Sequence, residues 1–408
     1  MQRTADPDKL GFDPDRLARI DKHFARYVDD GRLAGWQIAV TRRGETVHAS
    51  TYGLRDREAG LPVEPDTLWR IYSMTKPLTS VAVMQLWEQG RFELTDEISR
   101  YLPAFADVRV YDKGSAQKPW TVPAVEPVRI WHLLTHTAGL TYGFMHTAVP
   151  DAIYRARGYE WGVPPGTDLA TACDAWAAMP LLFQPGSRWG YSVATDVLGR
   201  LVEVVSGQRL DAYLAEHVTG PLGMVDTTFW VEPERAERLA TLYTPNPADG
   251  RAVRLDSFGA AALQEPTFLS GGGGLVSTAA DYGRFTAALL ADGELDGHRL
   301  LGTRTLAWMA RNHLPGGRDL GALSVGGFAE TTFDGIGFGL GFATVENPLP
   351  AKTLMSRGEF FWGGAASTAF WVDPAEEITA LLMTQLLPSS TYPLRPQLRQ
   401  LVYSSLVD

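Results

Sequence analysis

Extended apolar runs occur at both ends of this chain and are scarce in its middle, and that placement limits the folds open to it. Near the N-terminus, residues 36–41 and 45–52 flank a turn through Arg43-Gly44, the pattern of a hairpin. In the last third, residues 339–345, 361–372 and 378–384 form three further strand-like runs, with Asp373-Pro374 turning the chain between the last two. A helix opened by Asp13-Pro14 carries Leu17, Ile20, Phe24, Tyr27 and Val28 on one face and stops at Gly31. A final helix carries Leu394, Leu398, Leu401 and Val402 on one stripe. Strands at opposite chain ends share a sheet only if the chain returns to where it began. The expected fold is therefore α+β: an antiparallel sheet assembled from both ends, flanked by the N- and C-terminal helices, with a mostly helical segment inserted. The boundaries expected are 1–72 with 270–408 for the sheet domain and 73–269 for the helical one.

A chain of 408 residues, 45% hydrophobic and 21% charged, can bury a large core. Its net charge of −10 argues against nucleic acid or an anionic membrane as partner. The one cysteine, Cys173, rules out an intrachain disulfide and, within Ala172-Cys173-Asp174-Ala175-Trp176, reads as a small core residue. The first seven residues contain no apolar secretory core, and no run approaches the roughly 20 apolar residues of a membrane span. The expectation is a cytoplasmic protein.

The chemistry starts at Ser73-Met74-Thr75-Lys76, where an extended segment (residues 68–72) gives way to a helix expected over 73–89 and stopped by Gly90. Spacing of three puts the Ser73 hydroxyl and the Lys76 amine one turn apart on the same face. A serine attacks well only when a neighbouring base takes its proton, and a neutral lysine can do so. Pro77 falls in the first turn, where a missing N–H is tolerated. At a helix start, backbone N–H groups near Ser73 are free to stabilise negative charge.

Two further segments follow in order. Gly190-Tyr191-Ser192-Val193 enters an apolar helix (Val197, Leu198, Leu201, Val202, Val205) closed by Gly207, and Phe361-Trp362-Gly363-Gly364-Ala365 leads into a late strand. Other matches read blandly. Gly190–Ala194 lacks the last glycine of a nucleophile elbow, and His132 and His136 lack the intervening glutamate of a zinc helix, so capping or core hydrogen bonding is expected of them. Ser270-Gly271-Gly272-Gly273-Gly274 lacks the Lys-Ser/Thr of a phosphate loop and reads as a turn into a helix capped near Ser277 or Thr278. No metal and no cofactor is implied.

Ser-x-x-Lys, then Tyr-Ser-x, then x-Gly-Gly on a late strand resembles the serine β-lactamase-like superfamily. Within it the chain is most similar to the family VIII carboxylesterases, relatives of the class C β-lactamases. Leu133-Leu134-Thr135-His136-Thr137-Ala138-Gly139-Leu140 and Gly272-Gly273-Gly274-Leu275-Val276-Ser277-Thr278 match the same group, and the likeness runs from about Trp36 to the last helix. It implies the same fold, with the site in the cleft between the two parts. It implies Ser73 as nucleophile, with Lys76 or Tyr191, hydrogen-bonded to each other, taking its proton and passing it to the leaving alcohol. A neutral Lys76 and a Tyr191 phenolate held by a cationic Lys76 both remain open at this point. The implied oxyanion hole is the backbone N–H of Ser73 and of Ala365, with Gly363 and Gly364 on a strand edge that the substrate approaches closely.

Departures from the lactamase pattern bear on substrate. Trp362 stands where those enzymes carry a lysine for the substrate's carboxylate, and Val193 where they carry an asparagine. Both changes replace polar recognition by apolar surface, so an uncharged short-chain or aryl ester is expected. Tyr142, Phe144, Tyr154 and Trp161 are candidates for the pocket lining beside Trp362 and Val193. A β-lactam or amide hydrolase, an acyltransferase on the same Ser-Lys-Tyr machinery, and a non-catalytic binding module are the alternatives. The expected partner is a small-molecule ester.

Overall fold

The structure, a computed structural model, describes residues 2–326 and 333–408. At its centre lies an eight-stranded antiparallel sheet, numbered in chain order: β1 Gly35–Arg42, β2 Glu45–Asp56, β3 Leu61–Pro62, β4 Ile336–Phe338, β5 Ala343–Val345, β6 Phe360–Gly363, β7 Ala369–Asp373 and β8 Ile378–Thr384. The spatial order is β4-β5-β6-β7-β8-β1-β2-β3, so the last strand of the chain pairs with the first, Trp36 opposite Thr384 and Arg42 opposite Ile378. The fold is α+β, and its sheet is built from both chain ends as expected.

Five helices matter for the site: α1 Arg19–Asp29, α2 Thr75–Glu88, α3 Ala194–Ser206, α4 Ala279–Leu290 and α5 Leu394–Tyr403. Alternation along β1 and β8 sorts side chains between two cores. Trp36, Ile38 and Val40, with Ile378, Ala380 and Leu382, meet Ile20 and Phe24 of α1 and Leu394, Leu398 and Val402 of α5. Ala39, Leu381 and Met383 turn to the other side and join Phe285 and Ala288 of α4. Both faces are thus covered, which is why these runs are almost continuously apolar.

The larger core continues into the helical part, where α2 and α3 pack together through Leu78, Val81, Ala82, Val197, Leu198 and Leu201. Each large aliphatic side chain buried there contributes about 1.5–3 kcal/mol. Gly199 lets α3 close on the Gly271 segment, because a Cβ there would press on Leu210 and approach the Gly271 Cα. Among the described residues, no helix is long and apolar enough to cross a membrane.

Four expected elements differ in detail. The helix expected over 13–31 breaks at Ala18 into Pro14–Leu17 and α1. The run 361–372 is two strands: β6 and β7 fold on each other, Trp362 opposite Phe370. The reversal uses Ser367 in the left-handed region (φ 69°) and a hydrogen bond from Gly364 N–H to Thr368 O (2.9 Å). The run 339–345 likewise contains a turn, and β4 lies before it. Gly341 has φ 111° there, and a Cβ would overlap Ser80. Finally, the helix expected from Ser73 opens as a 3₁₀ turn, Tyr72–Met74, before α2 begins.

Candidate active site

Ser73 sits on that 3₁₀ turn, and three hydrogen bonds fix it. Tyr282 Oη donates to Met74 O (2.9 Å), Leu275 N–H to Thr75 Oγ1 (3.1 Å), and Ile71 N–H to Leu275 O (3.1 Å). Tyr72, immediately before the serine, has φ 42°. A left-handed non-glycine residue costs about 1 kcal/mol or more, so the surroundings hold this turn against its local preference.

One turn later Lys76 is buried and only 1% exposed. Its Nζ donates to Ser73 Oγ (3.2 Å) and to Gly272 O (2.7 Å). Nζ also lies over the Tyr191 ring, 4.5 Å from its centroid, with the Tyr142 ring at 5.5 Å. A buried amine carries charge only beside a negative partner. Asp196, on the first turn of α3, lies within Coulombic reach and is itself buried. Its Oδ1 accepts from Ser270 Oγ (2.6 Å) and Gly272 N–H (2.9 Å). Burial raises the Asp196 carboxyl above the usual range, against the opposing pull of Lys76 and those hydrogen bonds.

Tyr191 is buried, and its Oη accepts a hydrogen bond from Trp362 Nε1 (3.3 Å). Its ring also packs beside His136, centroids 5.0 Å apart. Burial and the Lys76 charge hold His136 well below its ordinary pKa, so it is neutral, and its Nδ1 pairs with Ser192 Oγ (3.1 Å). His132 Nδ1 accepts from Arg129 N–H (3.0 Å) at the start of its helix, and burial lowers its pKa to about 4. Both histidines are thus spent on local hydrogen bonds.

A cavity of about 220 Å³ opens onto Ser73. Ser73 and Ala365 both line it, and among the described residues neither backbone N–H donates to a protein acceptor. Ala365 stands in the turn after β6 and not on the strand itself. Val193, Tyr142, Phe144 and Trp161 line the cavity too. Tyr142 stacks on Phe144 (centroids 4.7 Å, 19°) and Phe144 on Trp161 (4.4 Å, 14°), with Phe258 edge-on to Trp161.

Four residues expected at the substrate lie outside this cavity's lining. Trp362 is buried between Tyr191 and Phe338 and is not part of the cavity lining. Nor are Gly363 and Gly364. A Cβ on Gly363 would overlap the Arg395 guanidinium, and one on Gly364 would overlap Ile71 O and Thr368 Oγ1. The close approach that these glycines permit is made by the protein's own groups. Tyr154 also lies in the core outside the cavity.

Asp196, Ser270 and Gly272 carried no expectation of a site role, yet all three line the cavity and tie to Lys76. A buried acid five positions after Tyr191, on the helix face toward α2, is the signal that could have found Asp196.

A model of the Beta-lactamase family matches residues 20–404. Esterase EstB from Burkholderia gladioli is 36% identical over 421 aligned positions, covering 98% of this chain and 99% of its own length. Monacolin J acid methylbutanoyltransferase from Aspergillus terreus is 29% identical over 80% of this chain and 79% of its own. Among solved structures, EstCE1, described as a hydrolase with promiscuous acyltransferase activity, superposes with a TM-score of 0.80 at 30% identity, covering 95% of this chain and 99% of its own.

Proposed function

The chain belongs to the Beta-lactamase family, on the branch similar to family VIII esterases, and on that premise we propose that it is a carboxylesterase of uncharged short-chain or aryl esters. The observation that carries this reading is the cavity wall beside the Ser73–Lys76 pair. Among the described residues the wall contains aromatic rings, Val193, Glu160 and Asp196, but no arginine or lysine. A carboxylate-bearing lactam would enter there without a cation to meet it, whereas a neutral ester leaves no charge unpaired.

In this mechanism Ser73 Oγ bonds to the ester carbonyl carbon while its proton leaves through Lys76 or Tyr191. The carbonyl electrons move onto oxygen, which accepts hydrogen bonds from Ser73 N–H and Ala365 N–H. Collapse breaks the C–O bond, and the departing alkoxide takes the stored proton. Water then repeats the sequence on the acyl-serine and returns Ser73. A binding module would have no use for a lysine buried against a serine hydroxyl.

The test is a panel of nitrophenyl esters of rising chain length beside a chromogenic cephalosporin and a D-amino acid amide. Ester turnover exceeding the other two by at least a hundredfold is expected, and comparable cephalosporin turnover would overturn the substrate class. A second reading, acyl transfer to an alcohol, is favoured by the aromatic ladder, which offers an apolar acceptor a place beside the acyl-serine. Transester product formed in dilute alcohol measures it.

A further inference from the structure

Four hydrogen bonds link Asp196, Ser270 and Gly272 to Lys76 and Ser73. Asp196 Oδ1 fixes Ser270 Oγ at 2.6 Å and Gly272 N–H at 2.9 Å, and the carbonyl of that same Gly272 receives Lys76 Nζ at 2.7 Å. Lys76 then reaches Ser73 Oγ at 3.2 Å. Both hydrogen bonds of the carboxylate fall on Oδ1; among the described residues Oδ2 accepts none. The Lys76 charge pulls against the burial that raises the Asp196 carboxyl, and both residues are almost wholly out of water. An isolated charge in such a place is costly, and two opposite ones with their remaining valences satisfied are tolerated.

We propose that Asp196 is the buried counter-ion of Lys76 and, through Ser270 and Gly272, the positioning residue that aims its amine at Ser73. The proposal rests on the esterase reading for its biological meaning but not for its geometry. The carboxylate acts in two ways. Its charge holds Lys76 as the ammonium, which favours Tyr191 over Lys76 as the group that takes the serine proton. Its Oδ1 holds the Gly272 carbonyl, which fixes where the ammonium stands. The other titratable groups facing this pair are Tyr191 and Tyr142 beside the ammonium, His136 behind Tyr191, and Cys173 on the helix packed against α3. His136 is neutral, and burial raises the Cys173 thiol and the Tyr142 phenol well above their ordinary ranges, so Asp196 is the anion this cluster provides.

The rate at which a fluorophosphonate labels Ser73, followed against pH, tests both actions without needing any ester. Asp196→Asn keeps an acceptor for Ser270 and Gly272 but removes the charge. Its alkaline limb should move to lower pH by one unit or more, and its optimum rate should fall about tenfold to a hundredfold. Ser270→Ala keeps the charge and should lower the rate severalfold with the limbs in place. A folded Asp196→Asn whose profile overlays the wild type would overturn the proposal.

Should Asp196→Asn fail to fold, Lys76→Met decides. With the cation gone, the Asp196 carboxyl is raised further above its unfolded value, so stability must be highest at low pH and lost as pH rises through the folded pKa. The Tm of Lys76→Met should climb by several degrees from pH 7.5 to 5.5, and adding Asp196→Asn should abolish that slope. A wild-type slope in Lys76→Met would sink the idea. A wild-type chain that labels at Ser73 but hydrolyses no ester fails the functional reading and leaves this one intact.

Discussion

Asp196, on the floor of the cavity, and Lys76 and Tyr191 behind it are each no more than 3% exposed, whereas Trp161 and Phe258 at its mouth stand 46% and 38% exposed. The floor is polar and tied: hydrogen bonds join Lys76 to Ser73 and Gly272, and Asp196 to Ser270 and Gly272. The mouth is apolar and held by ring stacking, with Glu160 the charged group that lines the cavity beside it. Charges out of water must be fixed precisely because a misplaced one costs several kcal/mol. Rings at a rim are individually worth about a kilocalorie and can shift to admit a substrate. Floor substitutions should therefore alter turnover for every substrate. Mouth substitutions should alter affinity for some substrates only.

The largest expected effect breaks the floor. Ser73→Ala should abolish fluorophosphonate labelling and lower ester turnover by several orders of magnitude. Lys76→Ala and Tyr191→Phe should each remove most of the activity, and their combination little more, because the ammonium stands over the ring it serves. These losses should be the same for acetyl and aryl esters. Losses that add would mean the two residues act in separate steps, and losses that depend on the acyl group would blur the division between floor and mouth.

The division also governs what could be read from sequence. The sheet was legible because residues 36–41 and 378–384, buried on both faces, read as short and nearly continuous apolar runs. The turns inside 339–345 and 361–372 were not, because Leu340, Phe342 and Ala366 are as buried as the strands they join. Reversal there depends on single positive-φ residues, Gly341 and Ser367, that apolar patterning does not mark. Ser73 and Lys76 were legible because one helical turn relates them. Tyr191 was legible only through the order of motifs. Asp196, Ser270 and Gly272 meet Lys76 from separate segments, and no local period connects them. The glycines after Trp362 were read as room for a substrate. The room is taken by Arg395 and Ile71.

At the mouth, Trp161→Ala removes the outermost ring of the ladder, which stacks on Phe144 at 4.4 Å. An aryl ester that continues the stack should lose about 1.4 kcal/mol, a roughly tenfold rise in KM with kcat unchanged. An acetyl ester of a small alcohol should be affected less than twofold. Equal effects on both esters would mean the ladder props the cavity open and does not touch the substrate.

The smallest expected effect tests a residue that changed sides. Its position in sequence put Trp362 at the substrate, in place of a lactamase lysine, but its indole lies behind Tyr191 and donates Nε1–H to the phenol oxygen at 3.3 Å. Trp362→Phe keeps a ring against Phe338 and Tyr191 and removes that one donor. A neutral hydrogen bond of this kind contributes about 1 kcal/mol, so kcat should fall roughly fivefold. Since Tyr191 serves whatever is bound, the fall should be equal for acetyl ester, aryl ester and cephalosporin, and KM should hold. If Trp362 instead faced the substrate, the ratio of cephalosporin to ester turnover would move and KM with it. A shifted ratio in the folded variant would return Trp362 to the wall and redraw the boundary between the two regions.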